Sequence, residues 1–131
     1  MQLIDKQLLD SVTAQAKKSP RLRMNYNFHE QLDAPAQRLL NALEPGTVLP
    51  THRHRYTAET YIVLEGSIHV MSYNDDKTIA ESIVLDPKKG IFGLNIPAGT
   101  WHTLEVLSTG TVIFEIKDGP YTPLSEEDIL K

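Results

Sequence analysis

The chain has 131 residues, a formal net charge of −4 at pH 7 and no cysteine. This length suits one domain, and the negative charge makes nucleic acid a poor expected partner because no overall positive field attracts phosphates. Without cysteine, disulfides and thiolate metal sites are excluded, and any metal must be held by nitrogen and oxygen ligands.

The N-terminal segment is not expected to be a membrane or secretion signal. It carries Asp5, Lys6 and Asp10 where a signal peptide would need an apolar stretch. The longest apolar runs of the chain have a few residues, far fewer than a membrane span requires. We therefore expect a cytoplasmic protein with no membrane partner.

The first predicted element is an amphipathic helix from Asp5 to about Lys18, within an N-terminal segment at about 1–19. Asp5 is a plausible N-cap, and Pro20 ends the segment. The helix would place four apolar side chains on one face: Leu8, Leu9, Val12 and Ala16.

From Arg21 onward the pattern changes to strict alternation, which predicts a strand over 21–29 with one polar face. That face carries Arg21, Arg23, Asn25, Asn27 and His29. An ordinary solvated strand face is the commoner explanation, but such faces usually include acidic residues and this one has none. Arginine binds carboxylate or phosphate, asparagine binds hydroxyls, and a histidine near a metal can move a proton.

Short β-compatible runs separated by turn signals fill the rest of a predicted barrel at about 21–118, and residues 119–131 form a tail that could end in one helical turn. The further predicted strands are 37–43, 61–64, 67–73, 82–85, 92–96, 101–107 and 111–117. Many short strands predict an all-β fold, a sandwich or a closed barrel, in a single domain of residues 1–131.

Four residues have the types and spacing of a metal site: His52, His54, Glu59 and His102. If the chain is extended at His52 and His54, both side chains share a face, with Cα atoms roughly 7 Å apart. Glu59 follows His54 by an odd number of residues, so a bend would have to return it to that face. Three imidazoles and one carboxylate suit one borderline divalent metal.

These residues also carry a resemblance to a known family. The segment Gly46 to His54, followed by Glu59 and Gly66, is similar to the first cupin motif, and Pro97 to His102 is similar to the second. Gly90 stands one residue early for the second motif, and Val106 replaces a frequent asparagine.

More narrowly, the chain resembles the WbuC-type cupin fold metalloproteins. This resemblance also includes 19–29, 43–47 and 114–121. It implies a small jelly-roll β-barrel with a short N-terminal helix, a metal held by His52, His54, Glu59 and His102, a homodimer, and an association with surface-polysaccharide biosynthesis.

Alternatives remain for several of these residues. His52 and His54 could be polar loop residues, and Glu59 could pair with Arg53 or Arg55 at the surface. His69 is expected to be an exposed strand histidine. Arg38, Tyr61 and Trp101 are weaker candidates for a pocket wall, and Trp101 could instead lie at a rim or a dimer contact.

The first functional hypothesis is a metalloenzyme acting on a small polar, sugar-derived or anionic molecule. Arg21, Arg23, Asn25, Asn27, Arg38 and Tyr61 are the candidate substrate-binding residues, and His29 is the candidate acid or base. The second is a non-catalytic binding or sensing module whose metal holds the ligand. The third is a metal that only stabilises the barrel. The metal could be iron, manganese, nickel, cobalt, copper or zinc.

Overall fold

The computed structural model describes residues 1–131, and it contains one α-helix and eight β-strands. The helix α1 spans Lys6–Lys18. The strands are β1 (Arg23–Asn27), β2 (Ala36–Leu43), β3 (Glu59–Glu65), β4 (Ile68–Tyr73), β5 (Ile79–Leu85), β6 (Gly93–Ile96), β7 (Trp101–Val106) and β8 (Thr111–Asp118). The predicted all-β fold class with a short N-terminal helix is confirmed.

Helix α1 begins and ends as its sequence predicts. The Asp5 side chain accepts a hydrogen bond from the backbone N–H of Leu8 at 2.9 Å, which satisfies one of the free donors of the first turn. Ser19 is already extended because it precedes Pro20. The helix buries three side chains against the sheet that carries β1, β2 and β8: Leu9, Val12 and Ala16.

All strand pairs are antiparallel and form two sheets. One sheet has the order β1-β2-β8-β3-β6 and the other has the order β5-β4-β7. The main core contains side chains from both sheets: Leu43, Tyr61, Val63, Ile68, Val70, Leu85, Ile96, Leu104, Val106 and Ile113. Each fully buried aliphatic side chain contributes about 1.5–3 kcal/mol relative to an exposed one. This architecture is a small jelly-roll β-barrel.

The five-stranded sheet is apolar on its outer face as well. Leu40, Ala42 and Val112 are buried there with the apolar face of α1, and Met24 and Phe114 pack at the edge of the cluster. The helix covers one side of this sheet, and the barrel interior lies on the other. Side chains alternate along β1, so Met24 faces the helix, and Arg23 and Asn25 face the interior.

The first predicted strand is wrong at both ends, because β1 spans Arg23–Asn27 and not 21–29. Leu22 has a φ of 57°, which interrupts the extended conformation before Arg23. Beyond Asn27, Nδ1 of the His29 side chain accepts a hydrogen bond from the backbone N–H of Arg38 at 3.1 Å. The side chain of His29 therefore replaces the next backbone carbonyl of the strand.

Other boundaries move by a few residues. Strand β5 begins at Ile79, three residues before its predicted start, and β3 begins at Glu59 instead of Tyr61. The tail contains a single 3-10 turn at Glu126–Asp128, where a last helical turn was expected. No helix in the structure has the length and apolar character needed to cross a membrane.

Candidate metal centre

The segment that carries His52 and His54 lies beside strand β7. The backbone N–H of His52 donates to the carbonyl of His102 at 3.0 Å, and the N–H of His102 donates to the carbonyl of His52 at 2.8 Å. This reciprocal pair brings two histidines together that are far apart in the sequence.

Glu59 reaches the same place through the bend that its spacing requires. The chain bends at Arg55 and Tyr56, and β3 then begins at Glu59. Glu59, Tyr61 and Val63 are all buried, as expected for alternate residues on the inner face of the barrel.

The four predicted ligands form one cluster. Nε2 of His102 lies 3.0 Å from Oε2 of Glu59, and Nε2 of His54 lies 3.4 Å from Oε1 of the same carboxylate. One donor atom from each of His52, His54, Glu59 and His102 lies within 4.8 Å of the others, so this group could hold a metal ion. Arg53 and Arg55 do not pair with Glu59, because both bind Asp128 instead.

The orientation of two histidine rings fits a metal. Nδ1 of His52 lies 2.9 Å from the carbonyl oxygen of Pro50, and Nδ1 of His102 lies 2.8 Å from that of Thr100. A carbonyl oxygen can only accept, so each Nδ1 donates to it, and Nε2 is the ring atom left to face the cluster. Backbone carbonyls fix metal-binding histidines in this way in many proteins.

The electrostatics of the cluster also favour a cation. Burial and the neighbouring His102 lower the pKa of His52 to about 4, so its ring is neutral near pH 7. Burial alone would raise the pKa of Glu59, but hydrogen bonds from His102 and His54 hold it below its usual range. Three imidazoles around one carboxylate form a donor set that suits a divalent transition metal.

The cluster borders a cavity of about 470 Å³, and four of the predicted substrate residues line it: Arg21, Arg23, Asn25 and Tyr61. Tyr61 is buried, and its hydroxyl donates to Oε2 of Glu59 at 3.3 Å. Burial and the neighbouring charge of Arg21 lower the pKa of Arg23. Two neighbouring guanidinium groups at one cavity favour an anion between them.

Three predicted residues are not brought to this cavity. Asn27 is exposed at the end of β1, and Arg38 and His29 line a different cavity beside the segment that joins β1 to β2. His29 is buried, and its Nδ1 is occupied by the backbone of Arg38. The structure therefore does not place His29 beside the cluster, because β1 ends before the alternation reaches it.

The remaining aromatic and histidine candidates have structural partners. The indole N–H of Trp101 donates to Asp75 at 2.9 Å, and the guanidinium carbon of Arg53 lies 4.3 Å from the centre of the Trp101 ring. Trp101 is itself buried. His69 is half-buried on β4 and hydrogen-bonds to Ser82.

Several cavity residues were not identified from the sequence: Asn41, Glu115, Lys117, Tyr121, Thr122 and Leu124. A signal existed for two of them, because Asn41 and Glu115 interrupt the apolar runs of β2 and β8. The last three belong to the tail, which is attached at Asp128 by Arg53 and Arg55.

Comparison with solved structures shows the fold. The capsular polysaccharide assembling protein CapF from Staphylococcus aureus matches with a TM-score of 0.66 and 19% identity over 80% of this chain. KdgF from Halomonas sp. matches at 0.61 and 16% over 79% of this chain and 84% of its own. The cupin domain of Cnp3 from Schizosaccharomyces pombe matches at 0.58 and 9% over 73% of this chain and 64% of its own. The chain therefore has a cupin fold.

The chain spans 30% of the length of the CapF chain that it matches. No curated protein matches the sequence. A family model described as a domain of unknown function, DUF6016, matches residues 4–85, which is more than half of the chain. The chain belongs to this family.

Proposed function

We propose that this protein is a metalloenzyme that binds one divalent transition metal ion through His52, His54, Glu59 and His102. Its substrate is a small polar molecule, sugar-derived or anionic, that occupies the adjoining cavity. The observation that carries the proposal is the cluster itself, whose four donor atoms lie within 4.8 Å of one another at the wall of a cavity lined by Arg21 and Arg23.

The residues of this cavity have separable tasks. A bound metal would supply Lewis acidity to an oxygen of the ligand. Arg21 and Arg23 bind an anionic group by charge-assisted hydrogen bonds, and Asn25 lies on the same face of β1. The Tyr61 hydroxyl donates to Glu59 and so holds that carboxylate in place.

The biological setting rests on resemblance. The WbuC-type resemblance implies surface-polysaccharide biosynthesis, and a structural relative, CapF, is described as assembling capsular polysaccharide. We carry both to this chain as part of the proposal, together with a homodimer, a cytoplasmic location and the use of residues 1–131 as a single domain. Iron, manganese, nickel and zinc all suit the donor set.

The first test is elemental analysis of protein purified without a chelating tag. We expect near-stoichiometric metal in the wild type and loss of at least nine-tenths of it in His52→Ala and in His102→Ala, since each removes a ligand. His69→Ala is the matched control, because His69 lies on β4 outside the cluster. Glu59→Gln tests the carboxylate in a variant of almost unchanged shape.

Two outcomes would contradict the metal site: a wild type without metal, or His52→Ala and His102→Ala variants that retain it while folded. Turnover separates the enzyme from a non-catalytic binding module. Product formation that depends on the metal and is lost in His52→Ala supports the enzyme. A ligand that binds without conversion supports the binding module.

A further inference from the structure

We propose that Asn41 and Glu115 form a hydroxyl-binding subsite in the cavity beside the metal cluster, and that the ligand is therefore a polyhydroxylated anion. This inference rests on the proposed function and deepens it. It distinguishes a sugar acid or sugar phosphate from a simple carboxylate or phosphate. We call Asn41 and Glu115 the hydroxyl subsite.

The two side chains meet across neighbouring strands on the inner face of the five-stranded sheet. Asn41 lies on β2 and Glu115 on β8, and Nδ2 of Asn41 donates to Oε1 of Glu115 at 3.0 Å. In the sheet, Glu115 is directly opposite Tyr61 of β3, and Asn41 is opposite Asn25 of β1. Both residues of the subsite line the cavity that also contains His52, His54 and Glu59.

Asn41 presents an unsatisfied acceptor. The residue is 8% exposed, and its Oδ1 is buried without a hydrogen-bond partner. Buried polar atoms are almost always paired, and leaving one unpaired costs folding free energy. Oδ1 has no accessible surface in this conformation, so a ligand donor reaches it when the Asn41 side chain turns toward the cavity, and that hydrogen bond would recover this cost.

Glu115 presents a second acceptor beside the first. Its one hydrogen bond in the structure is the bond that Oε1 accepts from Asn41, which leaves Oε2 for a ligand. An ionised Glu115 repels a ligand carboxylate, whereas a hydroxyl can hydrogen-bond to Oε2 in either protonation state of Glu115. Two adjacent acceptors suit two neighbouring hydroxyl groups of one molecule.

The charge of the cavity argues for hydroxyl groups over an ammonium group. Arg21, Arg23 and Lys117 line the same cavity and would repel a cationic ligand. These cations instead favour an anionic group on the ligand. The ligand thus carries hydroxyl groups at one end and a negative charge elsewhere.

A purely structural role explains the pair less well. Strands β2 and β8 are already joined by the backbone ladder along the whole of Ala36–Leu43, so the sheet has no need of this side-chain bond. An apolar pair would fill the same space and leave no unsatisfied Oδ1. The polar pair lies where the inner face changes from the apolar Leu43 and Ile113 to the residues around the cluster.

The test compares anions that differ in their hydroxyl groups, by calorimetric titration of the metal-loaded protein. One pair of probes is D-gluconate and hexanoate, and the other is glucose 6-phosphate and hexyl phosphate. Within each pair only the hydroxyl-bearing part changes, and comparing the pairs distinguishes a carboxylate ligand from a phosphate ligand. We expect at least one polyhydroxylated probe to bind ten-fold or more tightly than its matched partner. Equal affinity within both pairs, or no binding of any probe, would overturn the inference from measurements on the wild type alone.

Variants then assign the preference to the subsite. We expect Asn41→Leu and Glu115→Gln each to reduce the hydroxyl preference by about ten-fold, while metal content stays at the wild-type level. Asn95→Leu is the matched control, because Asn95 is exposed on β6 and bonds to Thr60. A preference that survives in both folded variants overturns the assignment. A preference shown by wild-type protein that cannot be loaded with metal would contradict the metal proposal and leave the subsite standing.

Discussion

At the scale of single residues, the cluster depends on how its histidine rings are turned. His52 and His102 each donate from Nδ1 to the carbonyl two residues earlier in the chain, at Pro50 and Thr100. A short local contact therefore fixes the tautomer before any metal arrives. Because the rings are already oriented, metal binding would involve a smaller loss of side-chain conformational entropy.

Glu115 gives a prediction about pH. Burial and the charge of Glu59 raise the pKa of Glu115 from 4.5 to about 7. In metal-free protein, the folded chain keeps this proton up to about pH 7, whereas the unfolded chain releases it near 4.5. The stability that Glu115 contributes is thus complete below about pH 4.5 and is lost as the pH rises through 7. Between these two pH limits, this contribution to the free energy of unfolding falls by on the order of 3 kcal/mol.

We expect denaturant unfolding in the presence of a chelator to show this loss in the wild type and not in Glu115→Gln. Gln keeps an oxygen that can accept from Asn41, but it does not ionise. His52, whose pKa is lowered to about 4, gives the opposite slope in both proteins and cancels in their difference. Identical pH dependence of the two proteins between pH 5 and 8 would show that Glu115 is not protonated in the fold.

At the scale of elements, the tail helps to form the cavity. Tyr121 and Leu124 line it, and Asp128 is bound by Nε of Arg53 at 3.0 Å and by Nη2 of Arg55 at 3.0 Å. The backbone continues this attachment, since Leu130 donates to the carbonyl of Thr51 at 2.8 Å. The tail is thus held next to the histidine segment.

Asp128→Ala should loosen this attachment. Loss of these charge-assisted bonds is expected to make hydrogen exchange in the attached segment roughly five-fold faster. The amides to measure are Arg53, which donates to Asp128 O, and Leu130. Glu127→Ala is the control, because its carboxylate lies 3.8 Å from Arg55 and is exposed. Equal exchange in both variants would mean that the side-chain bonds do not hold the tail.

At the scale of the whole molecule, the apolar core and a metal bound at the cluster would be separate sources of stability. The core between the two sheets contains buried residues from β2 to β8, and a second cluster lies beneath α1. Such a core should fold without a metal, unlike a zinc finger, whose fold depends on its ion. The metal then adds stability only by binding the folded state.

Chelation gives the corresponding prediction. With free metal at about one hundred times its dissociation constant, binding adds about 2.7 kcal/mol, so removing it should lower the unfolding temperature by about 10 °C. The chelated protein should keep a cooperative transition in circular dichroism. His52→Ala serves as the control, because its transition should not respond to chelator. An unfolded spectrum after chelation would mean that the metal is needed for folding.

Much of this molecule can be predicted from the sequence because its signals are local. The alternation of polar and apolar residues identified the strand faces, and Asp5 and Pro20 identified the limits of α1. The odd spacing between His54 and Glu59 indicated the bend that returns Glu59 to the cluster. The WbuC-type resemblance, the catalytic residue and the substrate contacts remain predictions. The boundaries of β1 were wrong because a positive φ at Leu22 and a side-chain bond at His29 have no signal in periodicity.

The sequence by itself determined the fold class and the four candidate ligands, since residue type and spacing carry both. The tertiary structure decided which polar side chains share a cavity with them. Asn41 and Glu115 are 74 residues apart and meet only because β2 and β8 are neighbours in the sheet. His29, two residues after the predicted partner Asn27, lies in another cavity. Periodicity states which face a side chain occupies, but the order of strands and the point where each strand ends depend on contacts between distant segments.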